Sequence, residues 1–166
     1  LNANNKVNII NNLKDTKNLN FNFEQNINKK IEKGNCLIEY PKKIYCEYRG
    51  SLNKILVSNG KSLVIKTKVS YYRYPLNKTP LYLILDKKFL INKIHKLEER
   101  IIDNSFINYT IKEKEFEINI FFDNKTFNLV GWQTKDVFQN LNITFLSSMK
   151  KNEVFDKDIF KLPIQN

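Results

Sequence analysis

Short runs in which apolar and polar residues alternate recur along most of this chain. A period of two suits a strand with one buried face and does not suit a helix. Leu19, Phe21, Phe23, Gln25 and Ile27 alternate with Asn20, Asn22, Glu24 and Asn26. The pattern returns in Cys36–Tyr40 after a break at Gly34-Asn35, and in Ile44–Tyr48 after Pro41-Lys42. It returns again around Asn59-Gly60, with Ile55 and Val57 before the turn and Leu63 and Ile65 after it. Asn-Gly accepts the positive φ values of a tight hairpin, so this is the strongest local signal. Val69–Tyr74 reads as a further strand ending at Pro75. Leu97–Ile102, Phe106–Ile111, Phe116–Phe122, Phe127–Gln133 and Leu141–Phe145 follow, separated by short polar turns such as Asp103-Asn104-Ser105 and Asp123-Asn124-Lys125.

That makes about eleven strands in 166 residues, a length that fits one domain. Twist accumulates in a sheet of this size and open edges invite pairing, so it tends to curl or close. The expected fold is mainly β: a single domain over residues 1–166 forming an incomplete antiparallel barrel. Two segments break the pattern. Val7, Ile10 and Leu13 give Ala3–Lys14 one narrow apolar stripe, which predicts a short N-terminal helix. Thr79-Pro80 resembles an N-cap followed by proline at the first helical position, and Leu81, Leu85 and Phe89 follow at helical spacing. A helical insertion over Thr79–Ile94 is expected to cover one face of the sheet. Strand parity puts Phe21, Phe23, Ile38, Tyr40, Ile44, Tyr48, Val57 and Ile65 on that face, which becomes a ligand groove if the helices cover it loosely.

Signals for chemistry are few. His95 is the only histidine and no cysteine is near it in sequence, so a metal or catalytic role lacks partners. No nucleophile elbow, phosphate loop, dinucleotide fingerprint or zinc-protease motif occurs, and neither an enzyme nor a cofactor is expected. The formal charge of +11 suits a nucleic acid, an anionic membrane or an acidic protein. The lysines are spread along the chain and form no clustered recognition helix, which argues against nucleic acid. Tyr71-Tyr72-Arg73-Tyr74 could stack bases, yet at a period of two it reads as a strand wall. No apolar run reaches the ~18 residues needed to span a bilayer. Cys36 and Cys46 share a hairpin face with Pro41 midway between them, so a cross-strand disulfide is expected, and with it an oxidising compartment; the alternative is two small buried hydrophobes.

Taken in order, several segments resemble the outer-membrane lipoprotein carrier family, the LolA type, over nearly the whole chain. Ile55–Leu63 is similar to that family's strand, Asn-Gly-Lys turn and strand; Phe21–Gln25 to its F-x-Q ending; and Gly34–Tyr48 to its hairpin around a proline. Thr79–Leu85 stands where the family has a lid helix, and Phe160-Lys161-Leu162-Pro163 matches its closing F-x-(apolar)-P. The resemblance implies a monomeric periplasmic protein whose secretory signal has been removed, with a helical lid over a groove for lipoprotein acyl chains. It also implies an ABC-type release complex in the inner membrane as donor, and the outer membrane or an acceptor lipoprotein there as recipient. The family commonly has Arg just before the hairpin proline, in contact with the lid; Tyr40 stands there instead, so that basic latch is not carried over. Cys46 likewise stands where the family often has Trp. Two rivals remain. One is another lipid- or glycolipid-binding β protein, of which the acceptor type would need an anchoring Cys near its mature N-terminus, whereas the first cysteine here is Cys36. The other is a basic module that binds anionic surfaces.

Overall fold

The computed structural model describes residues 3–135 and 141–166. Helix α1 (Ala3–Asp15) opens the chain and buries Ile9, Ile10 and Leu13, leaving Val7 55% exposed. The buried stripe is thus set by i, i+3 and i+4 neighbours, and Ile9 takes the place expected for Val7. Six strands follow: β1 (Asn18–Ile27), β2 (Lys30–Glu39), β3 (Lys43–Tyr48), β4 (Ile55–Asn59), β5 (Ser62–Lys66) and β6 (Tyr71–Pro75). A 3-10 turn at Leu76–Lys78 leads into α2 (Leu81–Ile84) and α3 (Lys87–Lys96). The chain then returns through β7 (Arg100–Ile102), β8 (Phe106–Lys112), β9 (Glu117–Asp123), β10 (Leu129–Lys135) and β11 (Leu141–Lys151).

All pairings are antiparallel, in the order β6-β5-β4-β3-β2-β1-β11-β10-β9-β8-β7. Each half of the chain is a meander, and the halves are joined where β1 pairs with β11, Phe23 opposite Leu146 and Gln25 opposite Thr144. The edges are β6 and β7, the two strands that flank the helices, so the single eleven-stranded sheet stays open along that line. Proline at the end of β6 and the three-residue length of β7 blunt both edges against further pairing.

One expected break is not a break. Gly34-Asn35 lies inside β2, and the first hairpin turns at Asn28-Lys29, both at positive φ. Asparagine tolerates the left-handed region, so Asn28 was the turn signal and the glycine serves another purpose. The helical insertion is in turn two helices: Asp86 caps α3 by accepting a hydrogen bond from the Phe89 N–H at 3.0 Å. Thr79 does not cap α2; its hydroxyl donates to the Leu76 carbonyl at 2.8 Å and closes the preceding turn. Val69 and Phe127 fall in turns, outside the strands to which they were expected to belong.

The inner face of the sheet and the three helices enclose the main core, in which Phe21, Ile38, Ile44, Leu90, Ile94, Tyr109 and Phe122 are buried. The outer face carries a second row of apolar residues, with Leu37 opposite Tyr45, Tyr45 opposite Val57 and Val57 opposite Val64. The C-terminal segment lies over this row: the 3-10 turn Lys157–Phe160 rests against β3 and β4 and buries Phe160. The Tyr71 hydroxyl donates to the Pro163 carbonyl at 2.9 Å, which ties the end of that segment to β6. None of the helices described is long and apolar enough to cross a membrane.

Candidate functional site

An open cavity of about 220 Å³ lies between the inner face and α2. Its floor is Phe21, Phe23, Cys36, Ile44, Cys46, Leu56, Leu63 and Ile65, and its roof is Pro80, Leu81 and Ile84. Gly34 shapes the floor. It pairs with Phe23 on one side and Tyr48 on the other, and the two rings meet edge to face above it with centroids 4.9 Å apart. A Cβ at Gly34 would lie 2.7 Å from Phe23 Cε2 and collide with the Glu47 carbonyl, so only glycine leaves room for this pair. Beside them Cys36 and Cys46 are directly paired across β2 and β3 and joined by a disulfide.

Of the residues expected to line the groove, Phe21, Phe23, Ile44, Tyr48, Ile65 and Leu81 face the cavity. Ile38, Tyr40 and Leu85 are buried in the adjoining core instead, and Phe89 lies half-buried on α3 against the same core. Val57 points the other way, into the row beneath the C-terminal segment, and Leu56 takes its place. Parity cannot be carried across the six-residue connection from Tyr48 to Ile55, and Ile55-Leu56-Val57 is apolar on both faces, so alternation gave no side. The cavity also takes Trp132, Thr134 and Thr144 from β10 and β11, which no local pattern linked to the first hairpins.

One end of the cavity is polar. The Gln25 amide donates to Thr144 Oγ1 at 3.1 Å and the Tyr48 hydroxyl donates to Gln25 Oε1 at 3.4 Å. Lys54 pairs with Glu32 at 2.9 Å and lies 4.4 Å above the Tyr48 ring. Burial, aided by the Glu32 charge, raises the Tyr48 pKa well above the ordinary tyrosine value. Thus, among the described residues, the apolar floor ends at neutral groups and at Lys54, whose charge is paired with Glu32.

The roof is held by one basic residue, though not at the expected place. Lys42, two residues beyond Tyr40 in the β2–β3 turn, donates its backbone N–H to the Leu85 carbonyl at 2.9 Å. Its ammonium is 3.6 Å from Asp86 and 4.1 Å above the Tyr82 ring. Interaction with Tyr82 and then the Asp86 carboxylate hold its pKa above the ordinary lysine value. Tyr40 makes no tie to α2: its hydroxyl is buried without a partner among the described residues and burial raises its pKa, while its ring lies 5.6 Å beneath the Lys87 ammonium of α3. Helix α3 is fastened separately to α1, with Lys87 reaching the Thr16 carbonyl and Lys6 the Leu97 carbonyl, each at 2.7 Å. His95 is exposed in the last turn of α3, and no group of potential metal ligands occurs among the described residues.

Comparison with known proteins places this architecture. No curated protein matches the sequence. Among solved structures, an uncharacterized conserved protein from Thermus thermophilus superposes with a TM-score of 0.56 at 6% identity, over 98% of this chain and 95% of that one. MucB in its complex with MucA from Pseudomonas aeruginosa gives 0.51 at 9% identity, over 98% of this chain and 62% of that one. At such identities the likeness is one of fold. Sequence carries the family: its model, outer membrane lipoprotein carrier protein LolA, matches residues 14–163, from the last turn of α1 to the proline behind the C-terminal turn. The family is one of carriers, and by that match this chain belongs to the LolA family.

Proposed function

We propose that this protein is a periplasmic carrier that holds lipoprotein acyl chains between the inner sheet face and α2 and moves them from the inner to the outer membrane. The observation that carries the reading is the apolar cavity roofed by a four-residue helix with few polar ties. At about 220 Å³ it is smaller than the roughly 300–1,000 Å³ pockets of drug-sized ligands. Three acyl chains with about forty methylenes need far more room, and exposing them to water costs on the order of 30 kcal/mol at about 0.8 kcal/mol per methylene. Loading therefore requires α2 to swing away, exchanging its own contacts with the floor for those of the cargo.

An ABC-type release complex in the inner membrane supplies the work of extraction in this scheme, and the outer membrane or an acceptor lipoprotein takes the chains off. Phe21, Phe23, Ile44, Tyr48, Ile65 and Leu81 form the first acyl contacts, and Ile38, Tyr40, Leu85 and Phe89 join them once the roof lifts. The Cys36–Cys46 disulfide fits the oxidising periplasm. Native mass spectrometry of the protein purified with a co-expressed lipoprotein tests this. A stoichiometric complex with the acylated form, absent for a form that lacks its lipidated cysteine, is the expected result. Capture of glycolipid in preference to lipoprotein, or of neither, would replace the carrier reading with one of its rivals.

A further inference from the structure

At the end of the sheet away from the β2–β3 turn, three connections lie side by side: Asn28-Lys29, the segment from Arg49 to Lys54, and Thr67–Ser70. The Lys68 N–H joins the third to the second through the Leu52 carbonyl, and the Arg49 N–H ties the second to β2 through the Lys33 carbonyl, each at 2.8 Å. Leu52 and Val69 occupy the tips and Ile31 the adjacent strand start, exposed by 49%, 81% and 59%. Single exposed apolar residues are ordinary on a protein surface. Two on adjoining tips and one at the strand start beside them, among the exposed cations Lys29, Lys30, Arg49 and Lys68, form a composite surface. None of those four cations is paired with a carboxylate among the described residues; of the acids near them, Glu32 is bound to Lys54, Glu24 to Lys33, and Glu47 accepts from the Tyr45 hydroxyl.

The same strand ends supply the cavity residues Ile27, Tyr48, Lys54 and Ile65, so this surface surrounds the polar end of the groove. We propose that it docks on an anionic lipid bilayer, with Leu52, Val69 and Ile31 entering the boundary between headgroups and acyl chains. Lys29, Lys30, Arg49 and Lys68 would then lie at the level of the lipid phosphates. Apolar insertion combined with attraction to anionic lipid is how proteins hold an interface without spanning it. A protein partner would need carboxylates at several separate places to match these cations, whereas a lipid surface supplies anions wherever the tips land. Docking stands on these residues alone. Its consequence, that acyl chains pass from groove to bilayer without crossing water, rests on the carrier reading.

Co-sedimentation of the cargo-free chain with vesicles tests the docking directly. Vesicles of phosphatidylcholine with phosphatidylglycerol should bind the protein and pure phosphatidylcholine should not, with binding falling as salt rises. Changing Lys29, Lys30, Arg49 and Lys68 to Gln should weaken binding at least about a hundred-fold, at about five-fold per cation. Leu52→Ser with Val69→Ser, all charges kept, should weaken it at least about ten-fold. All six positions are exposed, and unfolding curves scored for each variant set separate lost docking from lost fold. A wild-type chain that ignores anionic vesicles at low salt, binds acidic polypeptide instead, or binds vesicles as well after both sets of changes would overturn the proposal. Vesicle binding without any lipoprotein complex would instead leave docking standing and remove the carrier reading.

Discussion

Gly34 lies mid-strand in β2, where glycine is ordinarily a liability, and its reason is the pair of rings that meet over it. Gly34→Ala should cost about 1–3 kcal/mol through overpacking against Phe23 and the Glu47 carbonyl, read from denaturant unfolding. The neighbouring disulfide closes a short loop, with a sequence separation of 10. Replacing both cysteines with Ser should therefore lower stability by about 2–3 kcal/mol. Tyr40 and Tyr48 predict an alkaline limit. Their folded pKa values are raised by burial above the ordinary 10.0, so the neutral form is favoured in the fold. That contribution is complete below pH 10 and is lost as pH rises from there toward the folded values, because the unfolded chain ionises first. Tyrosinate absorbance should show these two tyrosines titrating only together with loss of the fold; an early, separate titration of all eight tyrosines would contradict their burial.

The helices divide the labour between sealing and gating. Helix α3 is pinned to α1 by Lys87 and Lys6 and buries Leu90 and Ile94, so it closes one end of the core. Helix α2 has one turn, buries Ile84 and is followed by buried Leu85, and is held by Lys42. Lys42→Ala should remove a largely buried ion pair and a cation–π contact worth together about 1 kcal/mol. The expected outcome is several-fold tighter binding of an apolar fluorescent probe with little change in unfolding midpoint. Cysteines at Lys42 and Leu85, whose backbones are hydrogen-bonded, should lock α2 when oxidised and abolish lipoprotein uptake, while each single variant remains active. Uptake at the wild-type rate in the locked protein would mean that the chains enter elsewhere.

Across the whole molecule, one sheet serves two cores. The inner face and helices form the adjustable core with its cavity, and the outer face of β2–β5 is closed by the C-terminal segment through Phe155 and Phe160, whose rings meet at 5.6 Å. Phe160→Ala should cost about 3–5 kcal/mol by emptying that outer core, measured by unfolding, yet leave cargo uptake per folded molecule unchanged. A selective loss of uptake at full stability would show that the C-terminal segment is part of the gate.

Local pattern was enough to find most of the strands, the helical insertion and the faces within the first three, though not the turn between β1 and β2 or the division of the insertion into two helices, because alternation and turn residues act over a few positions. Within one hairpin it even sets partners: Cys36 faces Cys46, and Phe21 and Phe23 share a side. The pairing of β1 with β11, the arrival of Trp132 and Thr144 at the cavity, and the cover over Val57 and Val64 were decided only in the folded chain. These contacts join segments far apart in sequence, and what selects them is the burial of whole faces against one another. A run such as Leu56-Val57 or Leu63-Val64, apolar on both sides, carries no alternation from which its inner side could be read, and the packing of helices on one face and the C-terminal segment on the other assigns it.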